Sequence, residues 1–389
     1  MKIINNDGTT ITTDINDGDM TTVAVIGDTY RGLQIFETLD IRGLARVETD
    51  GDIKVLSPNT LNGLEIDGLL EANSVEVGDF PIVVNNGVMT VSEGVINTSD
   101  LNLDNSTFTV GSITTDTISL TNNSTFTGSS ITAAAITLST NSVLTHPATT
   151  TTGEYSLDVS VTDTLTIDTG SSIDVSERGY LGGNSGGNSS NYGRTVGNTT
   201  TGGSYAYSAG SYGGLGGKSS NFYVNAVYGS MVNPDELGSG GGAGGSSSYY
   251  GGDGGGLVRI TAGDIVLDGS IRANGGDGIN NLYNGGGSGG GVHVEVGTLS
   301  GTGMITANGG KQTAAHGSTT GGGGGRIAVY YDDISGFDTA NITAHGGIGS
   351  SANGGAGTVY TKSSALSYGD LIVDNNNIVT SVYSTPLIS

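Results

Sequence analysis

Along most of the chain apolar residues alternate with polar ones in short stretches, and each stretch ends at a small group of Gly, Asn, Asp or Ser. The pattern reads LDIRGLARV at residues 39–47, LEIDGLLEA at 64–72, VVNNGVMTV at 83–91 and LNLDNSTFTV at 101–110. It returns as ISLTNNSTFT from Ile118, ITLSTNSVLT from Ile136, LTIDTGSSIDV from Leu165, IVLDGSIRA from Ile265 and LIVDNNNIVT from Leu371. A period of two places one face of each stretch in a core. Enrichment in Val, Ile and Thr agrees with short β-strands joined by tight corners. Helix is disfavoured, because Gly, Asn and β-branched residues stand where helix propensity is poorest.

The stretches recur at a fixed step. Asn105, Asn123 and Asn141 lie 18 residues apart, and the same step joins Phe108, Phe126 and Leu144, then Ile113 with Ile131 and Ile118 with Ile136. Strands returning every 17 to 25 residues cannot each bury an apolar face alone, but they can when successive turns stack as a parallel coil. The expectation is therefore an all-β chain, a single-stranded right-handed parallel β-helix (β-solenoid) with Gly-rich loop insertions. Coils about 4.8 Å apart would set Phe108 over Phe126 inside and Asn105 over Asn123 in a corner ladder. A β-sandwich shows the same alternation but gives Asn and Phe no reason to recur in register.

Two regions separate by composition. Residues 1–180 carry 25 acidic and 6 basic side chains, residues 181–389 carry 12 and 7, and 54 of the 71 glycines fall between Gly182 and Gly357. In the glycine-rich region the step lengthens to about 35, as Leu257, Val292 and Ile327 show within LVRI, VHVEV and RIAVYY, each preceded by a glycine run. Companion stretches SIRANGG, MITANGG and ITAHGG end at Gly276, Gly310 and Gly347. The reading assigns residues 1–150 to an N-terminal solenoid spacer with coils of about 17–25 residues. Residues 151–389 become a Gly-rich solenoid with coils of about 35 residues and a long Gly/Ser/Tyr-rich insertion at 181–256.

Charge and composition narrow the role. With 37 acidic against 13 basic residues the net charge is −24, the wrong field for a phosphate backbone, so nucleic acid is excluded as a partner. Cys and Trp are absent, which removes disulfides, thiolate metal sites and cysteine nucleophiles. No apolar run is long enough to span a membrane, and the first thirty residues lack the basic-then-apolar order of a signal peptide.

Catalytic motifs are weak. The loop GSYGGLGGKSS at 210–220 has Tyr212 where a phosphate-binding loop ending in Lys218 needs glycine. Ser288 sits in a formal G-x-S-x-G, yet glycine flanks it where a nucleophile elbow requires strand and helix. Four histidines exist: His146, His293, His316 and His345. His293 reads as an outward strand residue, and His345 replaces Asn in a repeated A-N-G-G corner. Carboxylate pairs Asp50/Asp52, Asp332/Asp333 and Asp174/Glu177 have Arg46, Lys54 or Arg178 as basic neighbours and read best as solvated corner acids. No cofactor is expected. Structural calcium bridging Asp/Asn corners is compatible with the composition, but no EF-hand or nonapeptide spacing assigns it a site.

Aromatic residues single themselves out. Ten of 17 tyrosines fall between Tyr180 and Tyr283. Tyr192, Tyr205, Tyr207, Tyr212, Tyr223, Tyr228, Tyr249, Tyr250 and Tyr283 lie among Ser, Gly and Asn, the mixture that binding loops use for rigid contact area and adaptable hydrogen bonds. They are the candidate ligand-binding residues, with glycan rings stacking on their faces. The other reading is that they pack over the insertion and pin it.

The series GYLGG (179–183), SYGGLGG (211–217), NPDELGSGGG (233–242), GGGLVRI, GSIRANGG, GGGSGGGVHVEV, GTGMITANGG, GGGGGRIAVYY and GGAGTVYTK resembles a Gly-rich repeat module of large bacterial surface and secreted proteins, over roughly residues 163–389. That resemblance implies a parallel β-helix in extracellular, cell-surface, adhesin-like proteins and carries over no catalytic residue. Glycine runs alternating with short strands are also similar to the tail-tip adhesins of T-even-like phages, which implies a virion tail location. The expected function is a non-enzymatic structural or adhesive module binding a surface glycan or cell-surface receptor, with self-association through the solenoid ends. A phage tail fibre and a polysaccharide lyase or hydrolase are the alternatives.

Overall fold

The computed structural model describes residues 2–6, 11–14, 33–36, 39–49, 51–55, 64–78, 80–92, 94–219, 222–245, 248–278, 284–311, 319–380 and 385–387. The chain divides into two compact units, Met1–Ile118 and Ser119–Ser389. Among the described residues both are built from β-strands, with no α-helix and a single 3-10 turn at Thr339–Asn341.

In the first unit alternation becomes parallel pairing at short steps. Leu64–Ala72 lies beside Ile82–Asn85, with Leu64 opposite Ile82 and Ile66 opposite Val84. Ile82–Asn85 lies in turn beside Asp100–Asp104, with Leu101 opposite Ile82 and Leu103 opposite Val84. Phe108 faces Met89, which faces Leu70. These columns are buried throughout, and each Leu, Phe or Met so covered contributes about 1.5–3 kcal/mol. A second parallel series, Leu33–Phe36, Asp52–Val55 and Ser74–Glu76, stacks Ile53 under Val75. The corners are left-handed, with φ of 52° at Asn86 and 48° at Asn105. Asparagine tolerates that conformation better than other residues with a Cβ. The Asn105 amide donates to Asn86 Oδ1 at 2.9 Å, linking two corners directly.

The second unit repeats this plan on a larger scale. Ser130–Leu138, Leu157–Ile167, Leu257–Leu267, Gly291–Gly301, Arg326–Phe337 and Thr358–Ser363 pair in parallel, each with the next. Thr125–Thr127, Val143–Thr145, Ser172–Asp174, Ser270–Arg272, Met304–Thr306 and Ile342–Thr343 form a second parallel series. Phe126 faces Leu144, so the 18-residue step holds there, and both are buried. Asn123 and Asn141 take the left-handed corner positions at φ 64° and 62°. Leu157–Ile167 and Leu257–Leu267 are direct neighbours, with Val159 on Ile260 and Ile167 on Leu267. The long insertion thus leaves the stack and returns to it beside the same strand, with one irregularity of register between Val161 and Thr164. One residue of slip separates this register from the sequence alignment: Val258, not Leu257, faces Val292 and through it Ile327, while Leu257 faces Gly291. An extra apolar residue at the strand entrance invites the wrong match.

The glycine runs make a second interior. In the run 285–290, Gly285 and Ser288 donate to Gly242 and Ser239, Gly286 and Gly289 to Thr320 and Gly323, and Gly287 and Gly290 to Gly276 and Ala273, all at 2.7–2.9 Å. Every third residue therefore reaches the same neighbour, the periodicity of a polyproline-II-type helix, which has three residues per turn and no internal hydrogen bonds. The run 251–256 behaves alike, with Gly251 and Gly254 bonded to Gly183 and Tyr180, and Gly252 and Gly255 to Gly285 and Ser288. So does the run 320–325, with Gly321 and Gly324 on Ala352 and Gly355 and Gly322 and Gly325 on Gly310 and Ala307. Neighbouring backbones touch where side chains would stand. A Cβ on Gly254 would lie 1.9 Å from the Gly238 carbonyl oxygen, and one on Gly354 1.8 Å from that of Gly322. Each run passes directly into a strand of the first parallel series, so lattice and strand stack are continuous along the chain.

Candidate functional site

Residues 176–256 lay further glycine segments onto this lattice and carry the tyrosines. Their polar anchor is Asn225, fully buried and fully bonded. Its amide nitrogen donates to the Ser211 carbonyl at 2.8 Å and to Ser239 Oγ at 3.0 Å, while its Oδ1 accepts from Ser204 Oγ at 2.9 Å and Ser211 N–H at 2.8 Å. Satisfied networks of this kind specify one arrangement, since any slip strands several buried polar groups.

The structure sorts the candidate tyrosines into an inner and an outer group. Tyr212 is fully buried, its ring 4.8 Å from that of Tyr228 and 5.5 Å from the Arg326 guanidinium carbon. The Tyr228 hydroxyl donates to the Leu237 carbonyl at 2.5 Å, and its ring packs on a cluster of Tyr180, Leu237 and Leu257. Burial pushes the phenols of Tyr180, Tyr212 and Tyr228 far up, so all three stay neutral. Arg326 is fully buried; its Nε donates to the Tyr228 carbonyl at 2.9 Å and Nη1 to Thr358 Oγ1 at 3.3 Å, fastening the insertion to the strand stack.

The outer group forms a surface cluster. Tyr192 and Tyr205 stack with centroids 4.4 Å apart and planes at 29°, and Phe222 meets Tyr205 at 5.8 Å and Tyr207 at 4.9 Å edge-on. Tyr223 is 69% exposed and Tyr192 37%. The Tyr205 N–H donates to the Tyr223 carbonyl at 2.9 Å, so the two segments are tied together at the backbone. Tyr249 and Tyr250 are half-buried and accept from the Asn184 and Asn284 amides through their carbonyls. Tyr283 and His316 lie outside the described residues. Phe222 belongs to the cluster but escapes a search for tyrosines; its signal was its place beside Tyr223 in the sequence.

The other chemistry-bearing residues are engaged in the framework. Ser288 is fully buried in a glycine run, its Oγ accepting from the Ser239 N–H at 2.8 Å. His146 is fully buried, its Nδ1 bonded to the Pro147 carbonyl at 2.7 Å, and burial lowers its pKa to about 4. The His345 N–H donates to Asn308 Oδ1 at 2.7 Å, and the Asn308 N–H to Asn274 Oδ1 at 2.8 Å, so His345 continues an asparagine corner ladder. Asp174 is paired with Arg272 at 2.9 Å. Burial, then the charges of Asp253, Asp277 and Asp174, raise the Glu177 pKa. Asp333 is held low by the Ser335 N–H. Among the described residues no group of three or more His, Asp or Glu side chains is placed to hold a metal ion, and no helix is long and apolar enough to cross a membrane. No protein family, no curated protein and no solved structure matches the chain.

Proposed function

We propose that this chain is a non-enzymatic adhesive module of an extracellular or cell-surface protein, and that Tyr192, Tyr205, Tyr207, Phe222 and Tyr223 hold a surface glycan. In this reading each unit winds as a right-handed single-stranded parallel β-helix. The two parallel strand series that alternate along the sequence support it. The observation that carries the functional reading is a cluster of stacked, part-exposed rings on a backbone lattice that leaves little room to deform. Aromatic faces held rigid bind apolar ring faces at little entropic cost, while neighbouring Ser, Asn and backbone groups serve hydroxyls. Binding to a glycan array tests it: Tyr192→Ala with Tyr223→Ala is expected to weaken retention at an unchanged melting temperature. Retention unaltered by the pair removes the cluster from the reading.

A virion tail-tip protein is the second reading. It is favoured by one observation, the packed glycine runs that lead into short strands, the alternation on which the resemblance to phage tail-tip adhesins rests. Locating the native protein by immunogold labelling on particles or on cells separates the two.

A further inference from the structure

The outward face of the second unit's strand stack carries a feature unrelated to the tyrosine cluster. Alternation buries Val159, Ile260, Val294 and Val329 and turns two rows of side chains the other way. One row runs Ser130, Asp158, Arg259, His293, Ala328, Tyr360, each in register with the next, with His293 and Ala328 themselves buried. The adjacent row runs Thr132, Ser160, Thr261, Glu295, Tyr330, Lys362. Five inter-strand steps give a ladder about 24 Å long. His293, Tyr330 and Tyr360 form a line of rings, with centroids 5.5 and 5.8 Å apart.

The face is held in shape from beside and above. His293 Nε2 bonds Glu295 Oε1 at 3.0 Å. Residues 232–234 cross over it, where the Tyr330 hydroxyl donates to the Val232 carbonyl at 2.7 Å and Arg259 Nη1 to the Pro234 carbonyl at 2.9 Å. A hollow of about 230 Å³ lies among Asp158, Ser160, Arg259, Thr261, His293 and Glu295. Another of about 360 Å³ lies among Glu295, Tyr330, Tyr331, Asp332 and Lys362. Glu295 lines both.

We infer that this face is a second binding groove, taking a neutral, hydroxyl-rich oligosaccharide laid across the strands. Length excludes a single sugar as the full occupant, because the hollows follow one another along the ladder. Ring faces and hydroxyl partners are both present: Tyr330 lines the second hollow and the half-buried Tyr360 stands beside it to offer the faces, Asp158 and Glu295 accept from sugar hydroxyls, and Arg259 and the Ser and Thr rungs complete the set. Neutrality follows from charge. Burial holds the His293 pKa below its usual value in spite of Glu295, so the ring is uncharged at neutral pH. Asp158, Glu295 and Asp332 then outnumber Arg259 and Lys362 on a chain of net charge −24, and a uronate polymer is repelled.

This inference rests on the adhesive reading only for the class of ligand, and one experiment separates them. Calorimetric titration of the full chain uses neutral and uronate-containing oligosaccharides from one to six sugars. It is run on the parent, on Tyr360→Ala, on Glu295→Gln and on the Tyr192→Ala/Tyr223→Ala pair, each checked for an unchanged melting curve. The parent is expected to bind neutral chains with affinity rising with length, Tyr360→Ala to weaken this about tenfold and Glu295→Gln by about fivefold, with Tyr360→Phe restoring it. Binding lost only in the Tyr192/Tyr223 pair, or a preference for uronates, overturns the groove and leaves the tyrosine cluster standing. Binding lost only in Tyr360→Ala and Glu295→Gln supports the groove and overturns the cluster's role. No binding by the parent overturns both.

Discussion

The second unit holds two interiors that solve one problem differently. In the strand stack, backbone groups pair edge to edge and one face of each series is covered with buried Leu, Ile, Val and Phe, so water is excluded by side chains. In the glycine lattice each backbone turns its N–H groups to three neighbours in rotation, and the backbones themselves fill the space. Both satisfy their buried amides. They differ in what they tolerate: a side-chain core accommodates a change of size by partial relaxation, whereas a lattice of touching backbones has no side chain to move.

Gly254→Ala breaks the comparison hardest. Its Cβ would fall 1.9 Å from the Gly238 carbonyl oxygen, so we expect a loss of more than about 5 kcal/mol, seen as proteolysis within residues 176–256 under native conditions. Phe126→Ala, in the strand stack, removes a buried ring. It should cost about 4 kcal/mol while leaving a cooperative melt, and a larger loss than at Gly254 would reverse the argument. Third is acid. Because the folded His146 pKa is about 4 against an ordinary 6.5, the unfolded chain binds the extra proton between these values. That stability is complete above pH 6.5, falls as the pH drops towards 4 and then levels off, amounting to about 3 kcal/mol. The raised carboxyls of Glu177, Glu236 and Asp253 act in the opposite sense, gaining stability as the pH falls through their elevated values. His146→Asn should therefore flatten or invert the acid limb of a melting-temperature profile; an unchanged limb would refute the assignment. The smallest effect is expected for Gly245→Ala, where nothing lies within 4 Å of the new methyl; a shift beyond about 0.5 kcal/mol would show that glycine content, rather than backbone contact, sets the cost.

The same contrast explains what could be read in advance. Side-chain alternation announces strands, and the recurrence of Asn123 and Asn141 announces corners, which the structure shows to be left-handed, because both are properties of side chains. A run such as GGGSGGG carries almost no side-chain signal, so its threefold winding has no residue pattern to betray it, and a loop and a lattice look alike. The concentration of tyrosines was visible, yet the separation of Tyr212 and Tyr228 from Tyr192 and Tyr223 depends on which backbone lies over them. The ladder through Asp158, Arg259 and His293 was hidden for a different reason. Asp158 and Arg259 stand 101 positions apart in sequence, with the whole insertion between them.

That adjacency has a wider meaning. Because Val159 and Ile260 face each other as though nothing had come between, the stack works as a port: chain of any length can be sent out and received back at the same edge. What is sent out there can change in length while the strands on either side keep their partners in the stack, provided that the glycine segments bonded to the runs at 285–290 and 320–325 are kept.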